Sequence, residues 1–357
     1  MHFTRLELSN FRLYRSLSLE LPEGLNVFWG ANAQGKTALL EALYLLATSR
    51  SFRTQSEVEL VCWEEDVARI SSRISRDSGR ERRLEFAWQR QGQKSTREVR
   101  LMGQPVRKLG EFLGEVLLTL FVPGDLSLVQ GGPQERRRFL DLTLCKLYPT
   151  YLAALSQYQR VIKQRNELLK RGHSPGELEP WDLLLIQHGH QLMARRQDLA
   201  LELDGRFQRL YRQLSHEEAP LSLTYTPNST ELEADLARRR AEELRLRTSL
   251  VGPHRDELQV RLGARSLRRF GSQGQQRTAV LALRLAEAEV LTERSGESAM
   301  VLLDDCLSEL DPSRQERLLD SLTGYRQVFL TTAVPVSGLP GTLWRVQAGQ
   351  IAKPAPC

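Results

Sequence analysis

The residues Gly30-Ala31-Asn32-Ala33-Gln34-Gly35-Lys36-Thr37 fit the pattern G-x-x-x-x-G-K-[ST], and that pattern does phosphate chemistry. Glycines let the backbone curl so that successive N–H groups converge on phosphate oxygens. A following helix adds the positive end of its dipole. Lys36 supplies a point charge for the β- and γ-phosphates, and the Thr37 hydroxyl is placed to reach Mg²⁺. Far downstream, Val301-Leu302-Leu303-Asp304-Asp305 is an apolar run that ends in paired carboxylates. A buried strand that delivers an acid is the element a phosphate loop needs opposite it. Asp304 is the metal-side carboxylate, directly or through water. Asp305 is then placed to orient or polarise the water that attacks a γ-phosphate. Each stretch has a plainer reading, a chance Gly-rich turn or a strand end with solvated acids. Both in one chain favour ATP.

The phosphate loop requires a strand before it and a helix after it. Leu25 to Trp29 is a short buried-type run and Lys36 to Ala47 an apolar helix, so both are present. Phe3 to Leu8 and Leu17 to Leu21 alternate as strands. Val67 to Leu101 is polar and strand-like, with Arg82, Arg83 and Lys94 exposed. Val116 to Phe121 is a further apolar strand. From Leu126 to about Leu250 the pattern becomes helical. The stretches Gln134–Leu147, Tyr151–Leu169, Trp181–Leu214 and Leu232–Leu246 carry apolar residues at helical spacing, and Arg171 to Gly176 breaks the run. Strands return at Leu258–Leu262, Met300–Leu303 and Gln327–Thr331, a helix fills Gln275–Thr292, and Pro312 opens another after Asp311. The Pro-rich end reads as frayed.

The implied organisation is an α/β head of mixed sheet and helices in pieces 1–125 and 251–357, interrupted by a helical lobe at 126–250. The insertion has no sustained heptad pattern, so no long coiled coil is expected.

Composition sets outer limits. The chain has 357 residues, 41% hydrophobic and 26% charged, enough for a substantial core. No stretch reaches the ~18 apolar residues of a membrane helix. No apolar signal segment follows Met1-His2-Phe3-Thr4-Arg5, which points to the cytoplasm. Cys62, Cys145, Cys306 and Cys357 are scattered without metal-ligand spacing. The net charge of +6 favours a polyanionic partner. Basic clusters occur at Arg136-Arg137-Arg138, Arg195-Arg196, Arg238-Arg239-Arg240 and Arg268-Arg269. Each taken singly reads as a solvated face more readily than as a DNA contact. Trp63 and Trp88 read as core or edge packing. No base-stacking set is evident, so backbone reading is expected over base readout.

Two further motifs lie near the paired acids. Ser272-Gln273-Gly274-Gln275-Gln276-Arg277 opens a helix and resembles the signature motif of ABC ATPases. Read alone, it is a helix cap. Ser308-Glu309-Leu310-Asp311 resembles the D-loop of that family, which lines a dimer seam. The order of loop, insertion, signature, acid pair and D-loop makes the set specific.

Wider segments resemble the RecF family of bacterial recombination ATPases, relatives of structural-maintenance heads. These are Leu8-Ser9-Asn10-Phe11-Arg12, Leu39-Leu40-Glu41-Ala42, Ser49-Arg50-Ser51-Phe52-Arg53, Gly131-Gly132-Pro133 with Arg136 to Asp141, Gly252-Pro253-His254-Arg255-Asp256, and Leu302 to Asp311. The resemblance implies an ABC-type P-loop ATPase head with an inserted helical second lobe. It implies an ATP-driven homodimer that binds DNA at gaps or single-strand/double-strand junctions. Such proteins act with RecR and RecO to load the RecA recombinase, and take part in replication restart and SOS induction. It places ATP against Gly30, Ala31, Asn32, Ala33, Gln34, Gly35, Lys36 and Thr37 of one copy and Ser272, Gly274 and Gln275 of another. Thr37 and Asp304 hold Mg²⁺, and Lys36, Asp304 and Asp305 act in hydrolysis.

Departures from the wider ABC pattern temper the hydrolysis. The loop Gln has no counterpart in Phe121-Val122-Pro123-Gly124-Asp125; Asp125 or Gln130 are the alternatives. Thr331-Thr332 stands where a switch His is expected, and a hydroxyl cannot accept a proton as imidazole does. A weak ATPase follows, with ATP as timer of a bound state. The rivals are a transporter subunit, which needs that His and Gln; a structural-maintenance protein, which needs a longer arm; and a module using ATP as glue, against which Asp304 and Asp305 argue.

Overall fold

The computed structural model describes residues 1–108, 110, 112–172, 175–217, 220–335 and 341–352. It divides into two compact units: Met1–Asp125, Gln213–Ser215 and Arg284–Cys357 form one, Leu126–Arg212 and His216–Leu283 the other.

The first unit is built from two six-stranded sheets. One is antiparallel, in the order β2 (Tyr14–Glu20), β1 (His2–Phe11), β4 (Val67–Ser75), β5 (Glu81–Gln91), β6 (Lys94–Leu101), β7 (Gln104–Pro105). Its strands alternate between a buried and a wet face; Ala68, Ile70, Ser72 and Ile74 of β4 point inwards. The other runs β15 (Gln350–Ala352), β14 (Thr342–Gln347), β3 (Gly24–Trp29), β13 (Gln327–Thr332), β12 (Met300–Leu303), β8 (Leu118–Phe121). All but β15 are parallel to their neighbours, and β8, β12 and β13 are buried along their whole length, as both-face coverage demands. Helix α1 (Lys36–Thr48) contacts strands of both sheets and is buried on nearly every side, which explains why it is apolar all round.

The second unit holds the helices α2 (Ser127–Gln130), α3 (Pro133–Leu147), α4 (Pro149–Arg171), most of α5 (Pro175–Ser215) and α6 (Leu232–Leu246). It also holds a three-stranded sheet of which the sequence showed only β10: β9 (Leu221–Thr226), β10 (Glu257–Leu262) and β11 (Arg265–Ser266). A short α7 (Leu267–Phe270) leads into α8 (Gln273–Ser295), and the division between the units falls inside α8. Residues 251–283 therefore group with the second unit, where the sequence reading put them with the head. The pairing of β9 with β10 across 30-odd residues of chain is what draws them there. α9 (Pro312–Leu322) completes the helices, capped by the Asp311 carboxylate, which accepts from Arg314 N–H at 3.0 Å.

Other local expectations came out unevenly. Trp88 is fully buried against Phe86, whereas Trp63 is 87% exposed and is not packing residue at all. The C-terminal hairpin β14–β15 forms an edge of the parallel sheet that the sequence reading did not foresee. The break expected at Arg171–Gly176 includes residues 173 and 174, which lie outside the described residues, as do 353–357. Cys62, Cys145 and Cys306 are buried and not in disulfides. No helix among the described residues is long and apolar enough to cross a membrane.

Candidate nucleotide site

In a parallel sheet the strands deliver their C-terminal ends to one edge, where ligands bind. β13 lies between β3 and β12. The loop after β3, the acids after β12 and the hydroxyls at the end of β13 therefore share that edge. The loop after β3 is tightly made. A Cβ at Gly30 would sit 2.2 Å from the carbonyl oxygen of Val346, and one at Gly35 (φ 116°) would sit 2.6 Å from the Tyr14 hydroxyl. Tyr14 Oη donates to the Gly35 carbonyl at 3.1 Å, and Gln34 accepts at its side-chain oxygen from Ala348 N–H at 2.6 Å.

Lys36 is nearly buried, and its Nζ donates to the carbonyls of Gly30 at 2.6 Å and Ala31 at 2.8 Å. Burial lowers its pKa, and the carboxylates of Asp305 and Asp304 oppose that. Thr37 Oγ1 donates to Asp304 Oδ1 at 3.0 Å across 267 residues of sequence. Thr331 Oγ1 donates to the same oxygen at 2.7 Å and accepts from Asp305 N–H at 2.9 Å. Burial holds the Asp304 carboxyl above the usual carboxylate range, and the hydroxyls of Thr331 and Thr37 pull it back. Asp305 adopts φ 48°, and its carbonyl accepts from Ser308 Oγ at 2.9 Å, which fastens the D-loop serine to the acid pair. A threonine hydroxyl and a carboxylate at this distance form a hard oxygen donor set of the kind Mg²⁺ takes.

One carboxylate behind the loop was not given a role by the sequence. Glu41, one turn beyond Thr37 on α1, is fully buried. It accepts from Arg12 Nη2 and Nε at 2.6 and 2.8 Å, from Ser51 Oγ at 2.5 Å and from Arg53 Nη1 at 3.3 Å. Three of the short stretches that mark the family resemblance thus meet on one side chain. Their scatter along the sequence hid the connection.

In the second unit, Ser272 and Gln275 cap the start of α8 reciprocally. Gln275 N–H donates to Ser272 Oγ at 3.2 Å, and Ser272 N–H donates to Gln275 Oε1 at 2.9 Å. Gln275 Nε2 goes on to Glu217 Oε2 at 2.9 Å, so this side chain is held by its own unit. Ser272 is exposed, Gly274 half-buried.

The family model described as RecF/RecN/SMC N terminal domain matches residues 2–336. The protein named DNA replication and repair protein RecF of Herpetosiphon aurantiacus is 40% identical, covering 93% of each chain. Its namesake from Bacillus mycoides is 39% identical over 93% of this chain and 92% of its own. The chain belongs to the RecF family. A solved structure of the recombination mediator protein RecF with ATP, described as part of the RecFOR pathway, superposes with TM-score 0.89 at 30% identity, over 99% of this chain and 98% of that one. An SMC head bound to a ScpA domain shares the fold alone, with TM-score 0.58 at 14% identity. The fold is that of an ABC-type ATPase head with a second lobe.

Within this RecF-family chain, the alternatives for the missing loop Gln are both engaged elsewhere. Asp125 takes a paired contact from Arg284 at 2.9 and 3.1 Å, and Gln130 Nε2 donates to Gln276 Oε1 at 2.7 Å. The basic clusters also separate. Arg136 is buried and forked onto Glu257 at 2.8 and 2.9 Å; Arg137 donates to the Asp256 carbonyl at 2.7 Å. Arg196 is buried against Asp141 and Asp256. Arg240 pairs with Asp182 and Arg238 with Asp235. Arg136, Arg196 and Arg240 are thus struts to acids that lie far away in sequence, while Arg138, Arg195, Arg238 and Arg239 are exposed. The Gly252–Asp256 stretch is likewise structural. Asp256 is fully buried and accepts from Tyr225 Oη and, at 2.7 Å, from Asn228 N–H.

Proposed function

We propose that this chain is an ATP-dependent DNA-binding protein of recombinational repair and replication restart. On this reading it is a cytoplasmic homodimer that works with RecR and RecO to help load RecA at single-stranded gaps and supports SOS induction. The observation that carries the reading is the meeting of Thr37 and Asp304 at 3.0 Å beside Lys36, in a chain of the RecF family. Relatives named for DNA replication and repair, and a relative solved with ATP, support it.

Lys36 leaves its loop carbonyls to meet the β- and γ-phosphates of ATP, a stronger charge-assisted contact. Thr37 and Asp304 would hold Mg²⁺, which when bound neutralises charge on those phosphates. Asp305 orients the attacking water. Ser272 and Gly274 of a second copy grip the γ-phosphate, a contact that exists only while that phosphate is present. Hydrolysis ends the grip and the dimer opens. Asp305 is the residue left to polarise water, since Asp125 and Gln130 are otherwise engaged, and Thr331 cannot take a proton as a His would. Turnover is accordingly weak. A transporter role lacks both the His and the loop Gln it requires.

Light scattering with and without Mg–ATP, repeated on gapped DNA, tests the reading. Wild type should double in mass with ATP and bind the DNA. Lys36→Met should do neither. A wild-type chain that binds ATP but stays monomeric and ignores DNA refutes it.

A further inference from the structure

We propose that the arginine-lined corner made by β10, β11 and α7 is a contact site for the phosphodiester backbone of duplex DNA. The inference rests on the DNA-binding reading above and names the surface that carries it. Arg261, Arg265, Arg268 and Arg269 are all exposed there. Among the described residues none of these guanidiniums has a carboxylate within ion-pair distance. Arg261 donates to the Gln259 amide oxygen at 3.1 Å, and Arg265 lies over the Phe270 ring at 5.5 Å. Arg136, Arg196 and Arg240 of the other clusters are spent on acids distant in sequence, whereas these four exposed guanidiniums lie together on one surface.

The corner is concave. A cavity of about 490 Å³ is lined by Arg261, Arg268 and Arg269 along the β10 backbone. The carboxylate in its wall, Glu257, is already forked by Arg136. Guanidinium groups match phosphate oxygens in geometry as well as charge. Phe270, 58% exposed beside them, adds the apolar element that sugar edges and bases meet.

The corner is also tied to the signature helix. Gln276 is buried, and its Nε2 donates to the carbonyls of Leu267 at 3.1 Å, Arg268 at 3.2 Å and Gly271 at 3.1 Å. The turn that bears Arg268 and Arg269 is thereby clamped to the helix that opens at Ser272. A shift of that serine on gripping a γ-phosphate is transmitted to the arginines.

The experiment is fluorescence anisotropy of a short labelled duplex with full-length protein and Mg–ATP across a salt series. Arg268→Glu/Arg269→Glu should weaken binding by more than about tenfold and flatten the salt dependence by about 2, since each phosphate contact contributes roughly 0.9 to the slope. Arg268→Lys/Arg269→Lys should retain most of the affinity. Arg80→Glu/Lys94→Glu makes the same charge change on exposed residues of the other unit and should behave as wild type. Should the Glu pair not fold, Arg261→Gln/Arg265→Gln carries the same test with a smaller expected loss. A Glu pair that binds duplex like the Arg80/Lys94 control overturns the proposal. So does a loss of DNA affinity that comes only with loss of the ATP-driven size change. A wild type that never binds DNA overturns the underlying reading instead.

Discussion

Thr331 Oγ1 donates to Asp304 Oδ1 at 2.7 Å, while accepting from Asp305 N–H at 2.9 Å. One hydroxyl therefore sets the positions of both acids, from the strand between the phosphate loop and the acid pair. At a position where the wider family is expected to present a His to the γ-phosphate, this chain uses a residue that orients the acids.

Thr331→Val keeps the shape of the side chain and removes both bonds. A hydrogen bond to a charged group is worth about 1.5–3 kcal/mol, so ATP turnover should fall roughly 10- to 100-fold if the acids lose their orientation. ATP affinity, set mainly by Lys36 and the loop, should change little. Steady-state turnover and labelled-nucleotide titration read the pair; unchanged turnover removes Thr331 from the mechanism.

Ser272→Arg places a bulky cation at the exposed head of the signature helix. Nucleotide affinity of the single chain should be kept, because the loop that binds it is untouched. The ATP-driven increase in mass should vanish. A Ser272→Arg protein that still doubles in mass with ATP is incompatible with a nucleotide gripped by two copies.

Arg12→Ala strips two hydrogen bonds from the fully buried Glu41 carboxylate. Breaking a buried pair on one side costs about 3–5 kcal/mol, and Arg53 and Ser51 remain to offset part of it. The expected loss is about 3 kcal/mol in denaturant unfolding. ATP affinity should drop with it, since α1 carries Lys36 and Thr37. Arg12→Ala with wild-type stability would mean that Arg53 and Ser51 suffice to hold Glu41.

His254 governs a pH dependence in the second unit. Its Nε2 faces the Ser249 carbonyl at 3.2 Å and so must donate; Nδ1 then accepts from Tyr158 Oη at 2.7 Å. That is the neutral ring. Burial pushes its pKa down to about 4, helped by the charges of Arg255, Arg137 and Arg165. An unfolded histidine titrates near 6.5, so the stabilisation is complete above that pH. It is lost as pH falls towards 4, by up to roughly 3 kcal/mol. His254→Gln should flatten the fall in urea midpoint between those pH values. An equal slope in the variant assigns the acid sensitivity to other groups.

Much of the site was legible because its parts are short and local. A glycine turn followed by Lys36-Thr37, an apolar run into Asp304-Asp305, and a Ser-x-x-Gln helix start each declare themselves within a few residues, since backbone curvature, strand burial and capping depend on near neighbours. The periodicity of α6 and of β12 gave their bounds for the same reason. Strands β9 and β14–β15 escaped notice because short strands carry little periodic signal and are held by partners elsewhere in the chain.

The sequence by itself determined the chemistry: a phosphate loop, an acid pair, a signature start, and an excess of arginine. Only the tertiary structure decided how those charges are used. Sheet order brought Thr331 between the loop and the acids. Contacts such as Arg136 to Glu257, 121 residues apart, turned single members of apparent surface clusters into struts and, among the described residues, left the β10–β11–α7 arginines without acids. Charge is written residue by residue, but neutralisation is a matter of distance in space. No local pattern encodes which acid will stand beside which base.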